Sequence, residues 1–198
     1  QMGLMYNGKG VTLYAAYAAA RSAIVWIPQA VDGDDPAGRI TMSTGQEKYS
    51  NIKASAAIAC VPISRRATRV LAGLPIIGPV VNDIMTAIGS LLALIPGAPL
   101  ALDYADRYAY AYALTNVSFV QQGPGGVSVV GGPGDTVDFP AHADITTMVS
   151  HCFHLQIPAA AQIIDFYDTL PSEFALMEGA PGNYIDINST CTLTLETP

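Results

Sequence analysis

The sequence predicts a mainly β, α+β protein, an antiparallel β-sandwich or jelly-roll-like barrel that carries one inserted hydrophobic helix. Two observations lead to this prediction. Short segments of alternating apolar and polar residues, separated by Gly- and Pro-rich turns, fill the last half of the chain. One long apolar segment, at about residues 70–102, has a helical period instead. We therefore expect a single domain over residues 1–198, with the helical segment inserted between an N-terminal and a C-terminal set of strands.

The N-terminal third gives mixed signals. Residues Gly10–Ile27 fit either an Ala-rich helix or strands at both ends, because the alanines favour a helix while the β-branched and aromatic residues favour strands. Short strands are predicted at Arg39–Ser43 and at Ile52–Ile63, the second because apolar residues alternate along it.

The inserted helix is predicted to run from Gly78 to Ile95. Gly78-Pro79 marks its start and Pro96-Gly97 its end. Its length of about 18 residues is at the lower limit for a membrane span, and its polar positions count against one. Three interpretations stay open: a core helix, a subunit-interface helix, or a membrane-active segment. The interface would use Asn82, Thr86 and Ser90. Membrane contact would use a basic cluster and an apolar stripe, namely Arg65, Arg66, Arg69, Ile84, Ile88 and Leu92.

The second half of the chain reads as strands. Tyr108, Tyr110 and Tyr112 alternate with alanines, which predicts a strand with a tyrosine face and a candidate interface on it. This strand should continue to Gly123. The remaining predictions are a short strand at Val127–Val130, a long strand at Ile145–Ile157, a short helix at Ala159–Leu170 and a final strand at Tyr184–Glu196.

The composition points to an assembly. Charged residues make up 13% of the chain, against about 25% in an ordinary soluble domain, so little of the surface can be covered by charge. The net charge of -7 and the scarcity of Lys and Arg, which cluster only at Arg65, Arg66 and Arg69, argue against nucleic-acid binding. The three cysteines have no CxxC spacing, which disfavours a zinc ribbon. Sequons at Asn116 and Asn188 would carry glycans only in a secretory route.

One segment is rich in side chains that can do chemistry. It holds His142, Asp144, His151, Cys152 and His154. On a strand, Cys152 and His154 point the same way at about 7 Å along the backbone, while His151 points to the apolar side. A metal site or a Cys-His nucleophile would need these groups to converge. The simpler interpretation is a core histidine with polar surface neighbours.

These patterns together favour a self-assembling structural protein without catalytic activity or cofactor, either a virion capsid or tail subunit or an extracellular filament subunit. Its partners would be copies of itself and other structural subunits, in a virion or at a cell surface, with no direct nucleic-acid contact. One alternative is a membrane-active or lipid-binding protein that uses residues 65–95. Another is a hydrolase or metal-dependent enzyme at His142, Asp144, Cys152 and His154.

Overall fold

The computed structural model describes residues 2–31, 35–65, 98–123, 126–132, 134–140, 142–154, 174–176 and 184–195. Within these ranges the chain forms three α-helices, a 3-10 turn and seven strands. In chain order they are α1 (Met2–Trp26), β1 (Arg39–Thr41), α2 (Glu47–Cys60), the 3-10 turn (Val61–Ile63), α3 (Ala98–Leu114), β2 (Thr115–Gly123), β3 (Gly126–Val130), β4 (Thr136–Asp138), β5 (Asp144–His154), β6 (Phe174–Leu176) and β7 (Tyr184–Thr194). The prediction of an α+β protein is confirmed, but the prediction that it is mainly β is wrong, because within the described ranges the helices contain more residues than the strands.

The strands form two antiparallel sheets. The larger sheet has the order β3-β2-β5-β7-β6, and the smaller one pairs β1 with β4. In the large sheet Val149 of β5 lies between Val117 of β2 and Ser189 of β7. The predicted antiparallel pairing is therefore confirmed. Neither sheet closes into a barrel in the described ranges, and the layer that faces the large sheet there is helical, so a sandwich or jelly roll is not confirmed.

The best strand predictions are confirmed. β5 and β7 follow the expected alternation, with Ile145, Val149 and His151 buried beneath the helices. β1 and β3 also lie where the sequence predicts them. The predicted helices at residues 78–95 and 159–170 lie outside the described residues, as does the insertion at about 70–102 apart from its last residues. Those last residues, from Ala98 on, begin α3.

Two predicted strands are wrong. Residues 52–63 form most of α2 and the 3-10 turn, because Ile52, Ala56 and Cys60 also satisfy a four-residue helical spacing and bury one side. Ile58, which the alternation placed inward, is exposed. The tyrosine segment lies in α3, where the alanines between the tyrosines favour the helix.

The first helix lies closest to the large sheet. α1 packs on β5, β7 and α2, and covers Gly10–Trp26, where the sequence signals were mixed. Most of the residues that it turns inward are small, including Ala15, Ala16, Ala19 and Ala23, although Met5 is also buried. Their size lets the helix backbone approach the sheet, and the Thr147 hydroxyl on β5 donates to the Ala16 carbonyl at 3.0 Å. The core of the described residues is built around this contact.

Candidate functional site

The outward face of α1 is the most unusual surface of the described chain. Helical spacing places Gly3, Tyr6, Gly10, Leu13 and Tyr17 in one row at alternating intervals of three and four, with Tyr14 and Arg21 beside it. The fractional exposure is 70% for Tyr6, 52% for Leu13, 63% for Tyr14 and 40% for Tyr17. We call these seven residues the α1 face. On this helix several large side chains, including Tyr6, Leu13 and Tyr14, point away from the core, while the alanines at 15, 16, 19 and 23 point into it.

Close contact with the sheet explains why small residues are required on the inner side. A Cβ at Gly8 would lie 2.8 Å from Cδ1 of Ile187 on β7 and 3.8 Å from the ring of Phe153 on β5. The Thr12 hydroxyl turns back to the Gly8 carbonyl at 2.8 Å, and Lys9 Nζ donates to the Asn188 carbonyl. The inner side of α1 therefore contacts both β5 and β7.

The described residues give no such reason for Gly3 and Gly10. A Cβ at either position would meet nothing within 4 Å. Glycine inside a helix costs about 1 kcal/mol relative to alanine. Gly10 lies in the helix interior, where this cost applies, and Gly3 lies in the first turn; no contact with the described residues requires either glycine.

The polar groups on the α1 face are few. α1 contains no acidic residue, and Arg21 is the only charged residue of the face. Its guanidinium Nη1 donates to the Tyr17 hydroxyl at 3.3 Å, and the Tyr14 and Tyr17 rings lie 6.4 Å apart. The face is therefore an aromatic surface with a single positive charge at one end.

A second feature is a buried polar cluster around His151. Its Nδ1 lies 2.9 Å from the Thr115 hydroxyl and its Nε2 lies 3.4 Å from the Ser64 hydroxyl. Because Ser64 donates its own proton to the Cys60 carbonyl at 2.8 Å, it can only accept from Nε2. The neutral imidazole thus carries its proton on Nε2 and accepts at Nδ1. The Tyr110 and His151 rings pack in a T-shaped arrangement with centroids 6.2 Å apart.

Burial controls the protonation of this cluster. It lowers the pKa of His151 to about 4. It also raises the pKa of Cys60 to about 12, opposed by the Thr115 hydroxyl, and raises the pKa of Cys152 to about 12, assisted by the charge of Asp186. Near neutral pH the imidazole is uncharged and both thiols are protonated, and a protonated thiol is a poor nucleophile. This arrangement is typical of a satisfied core cluster.

The tyrosines predicted to form one interface do not share a face. Tyr108 and Tyr112 are half-buried neighbours on α3 with ring centroids 5.9 Å apart, and Lys53 Nζ lies 4.9 Å from the Tyr112 ring. Tyr110 lies on the opposite side, where it is buried and donates to the Cys152 carbonyl at 3.2 Å. Burial raises the pKa of the Tyr108 and Tyr112 hydroxyls.

The candidate chemical residues are spread along β5. His142 and Asp144 lie at the start of the strand, where both are exposed and Asp144 accepts from the Thr194 hydroxyl at 2.7 Å. Cys152 lies eight residues further along the strand, about 26 Å away by the strand rise. The backbone of His154 ends β5 beyond it. The strand therefore keeps the two ends of this set apart.

Most remaining site predictions fall outside the described residues. This holds for Asn82, Thr86 and Ser90, and for Arg66, Arg69, Ile84, Ile88 and Leu92, while Arg65 is described and exposed. Among the residues that the structure describes, no three His, Cys, Asp or Glu side chains converge as metal ligands would. No helix in those same ranges combines the length and apolar character that a membrane span requires.

The sequence prediction missed the α1 face. Its signal was present in the spacing of Gly3, Tyr6, Gly10, Leu13 and Tyr17, but the predictions assigned no element before Gly10 and left Gly10–Ile27 open between helix and strands.

Comparison with known proteins identifies no relative. No protein family, no curated protein and no solved structure matches this chain.

Proposed function

We propose that this protein is a self-assembling structural subunit, of a virion capsid or tail or of an extracellular filament, and that the α1 face is one of its contact surfaces. One observation carries the proposal: α1 directs its small residues into its own core and its tyrosines and leucine outward. A helix that belonged only to its own core would do the reverse.

The size of the exposed surface supports a protein contact. From the fractional exposure of the α1 face, Tyr6, Leu13, Tyr14 and Tyr17 together present about 500 Å². Contiguous apolar patches of about 300–600 Å² are often functional in soluble proteins. A standard interface buries about 800 Å² on each partner, so this helix alone supplies more than half of such a contact.

The charge distribution supports the same proposal. The chain carries a net charge of -7, which opposes association of two copies over most of their surface. α1 has only Lys9 and Arg21 and no carboxylate, so this repulsion is weakest where α1 faces a neighbour. The proposal assigns the subunit no catalytic activity and no cofactor, and it keeps the sandwich or jelly-roll arrangement as a prediction.

Membrane binding is the one alternative that a specific feature of α1 supports. An apolar helix face with basic and no acidic residues also suits the surface of a lipid bilayer, so membrane binding is the second candidate. The self-assembly proposal is preferred because the face consists mainly of tyrosine, which is enriched at protein interfaces, and carries only one cation, Arg21, to attract anionic lipid.

The test is the oligomeric state. Sedimentation velocity over the micromolar range, with electron microscopy of the same samples, should show association that strengthens with concentration. Tyr14→Glu places a carboxylate in the middle of the α1 face and should weaken association at least about tenfold. Val129→Glu is the matched control, because Val129 is similarly exposed but lies on β3, the edge strand of the large sheet, and not on α1.

Circular dichroism verifies that both variants fold. A wild-type protein that stays monomeric throughout, with no particles in the micrographs, would refute the proposal. Sedimentation with neutral or anionic vesicles in that case would favour the membrane candidate instead.

A further inference from the structure

The α1 face has a pattern that fits a second copy of itself in one orientation. Along the row Gly3 and Gly10 are small, while Tyr6, Leu13 and Tyr17 are large. Their spacing of three and four residues is that of a helix-helix seam. Gly3 and Gly10 leave open space above the helix backbone, and Tyr6 and Tyr17 project from it.

We infer that two copies pair through α1 in antiparallel orientation, about a twofold axis that passes between Leu13 and Tyr14. The inference rests on the proposed self-assembly and names the partner surface of that same face. With this axis Gly10 of one copy faces Tyr17 of the other, and Leu13 faces Tyr14. Tyr17 of each copy then fills the open space above Gly10 of the other copy.

The charges agree with this orientation. The same axis places Arg21 opposite Tyr6 of the second copy, where the guanidinium can stack on the most exposed ring of the face. The two Arg21 side chains then lie at opposite ends of the helix pair. Because α1 carries no carboxylate, no negative charge from either helix enters the contact.

A parallel in-register pair lacks these matches. It would set Gly10 against Gly10 and Tyr17 against Tyr17, which leaves a gap beside a crowded position. It would also bring the two Arg21 charges together, which is unfavourable. Small-to-large matching and charge separation therefore both favour the antiparallel pair.

The area of the face is consistent with a pair of helices as the centre of a contact. The apolar side chains of the α1 face present about 500 Å² on each copy, and flanking residues such as Asn7 and Val25 extend it toward the roughly 800 Å² per partner of a standard interface. Helices with glycine at the contact approach to about 8 Å between axes, which brings facing backbones within reach of a disulfide.

Cysteine cross-linking of the full chain tests the orientation. Leu13→Cys lies beside the proposed axis and reports whether two α1 faces meet at all. Tyr6→Cys and Arg21→Cys are made as separate proteins, each oxidised alone and then as an equal mixture. In the antiparallel pair, position 6 of one copy lies about 22 Å along the helix axes from position 6 of the other, too far for a disulfide. Position 6 instead faces position 21.

The expected result is a covalent dimer for Leu13→Cys alone and for the mixture, at least about tenfold above the level in Tyr6→Cys alone, Arg21→Cys alone and wild type. The wild-type sample measures any background from Cys60, Cys152 and Cys191. A covalent dimer of Tyr6→Cys alone would show a parallel pair and overturn the inference.

The assay also separates the inference from the proposed function. If wild type associates in the centrifuge but Leu13→Cys and the mixture both stay uncross-linked, self-assembly stands and the α1 pair is refuted. If wild type is monomeric at every concentration, the proposed function fails and the pair fails with it.

Discussion

Gly8 gives the most direct test of how closely α1 lies on the sheet. In Gly8→Ala the new Cβ would lie 2.8 Å from Cδ1 of Ile187, a distance that requires a shift. Ile187 is fully buried and Phe153 is nearly so. Cδ1 of Ile187 therefore has little space to move away from the new Cβ. Overpacking of this kind costs about 1–3 kcal/mol, while alanine in place of glycine stabilises a helix by about 1 kcal/mol. The net expectation for Gly8→Ala is a loss of about 0–2 kcal/mol.

The matched control is Gly10→Ala on the same helix. A Cβ there meets nothing within 4 Å, so only the helix gain of about 1 kcal/mol should remain. The difference between the two variants removes helix propensity and isolates the contact, at about 1–3 kcal/mol. Urea unfolding followed by circular dichroism measures both, at concentrations low enough to keep the chain monomeric.

A third variant identifies the atom responsible. Ile187→Val lacks Cδ1, so Gly8→Ala should cost less in that background than in wild type. Equal free energies of unfolding for Gly8→Ala and Gly10→Ala, or no coupling between Gly8→Ala and Ile187→Val, would refute the close contact between α1 and β7.

Two further predictions concern the core around β5. The free energy of unfolding should fall as the pH drops from about 6.5 to about 4, because the unfolded imidazole of His151 takes up a proton that the buried one does not, and the loss should level off at about 3 kcal/mol. His151→Gln lacks this component, so urea titrations should show its deficit relative to wild type shrinking over that pH range; a constant deficit would contradict a neutral buried imidazole. Tyr110→Phe should cost about 1 kcal/mol in the same assay because the Cys152 carbonyl loses its donor, while Tyr104→Phe at an exposed position of the same helix should have no measurable effect. Similar losses for the two tyrosine variants would show that the buried hydroxyl does not stabilise the fold.

The long strands were predictable because their pattern has one structural solution. β5 and β7 each alternate over eleven residues, and a run of that length with period two fits only a strand with one covered side. The same rule failed at Tyr108–Tyr112 and at Ile52–Cys60. There the alternation involves alanine or covers few positions, and residues four apart satisfy a helix equally well.

The candidate site could not be predicted in the same way. The sequence predictions began at Gly10 and assigned no element before it, and only the structure shows that Gly8 lies against Ile187. The candidate chemical residues of β5 could be recognised in the sequence. The distance between Asp144 and Cys152 could not, because it depends on the strand running unbroken from Asp144 to His154.

Residue patterns alone were enough to establish the α+β class, the antiparallel pairing, the alternation of β5 and β7 and the scarcity of charge. The orientation of α1 depends on tertiary contacts, because this helix is apolar on nearly all sides and has no inner face until it meets the sheet. The small side of the helix packs on the sheet, where Ile187 and Phe153 lie close to Gly8. Tyr6, Leu13, Tyr14 and Tyr17 are consequently left outside, where the proposed partner would bind.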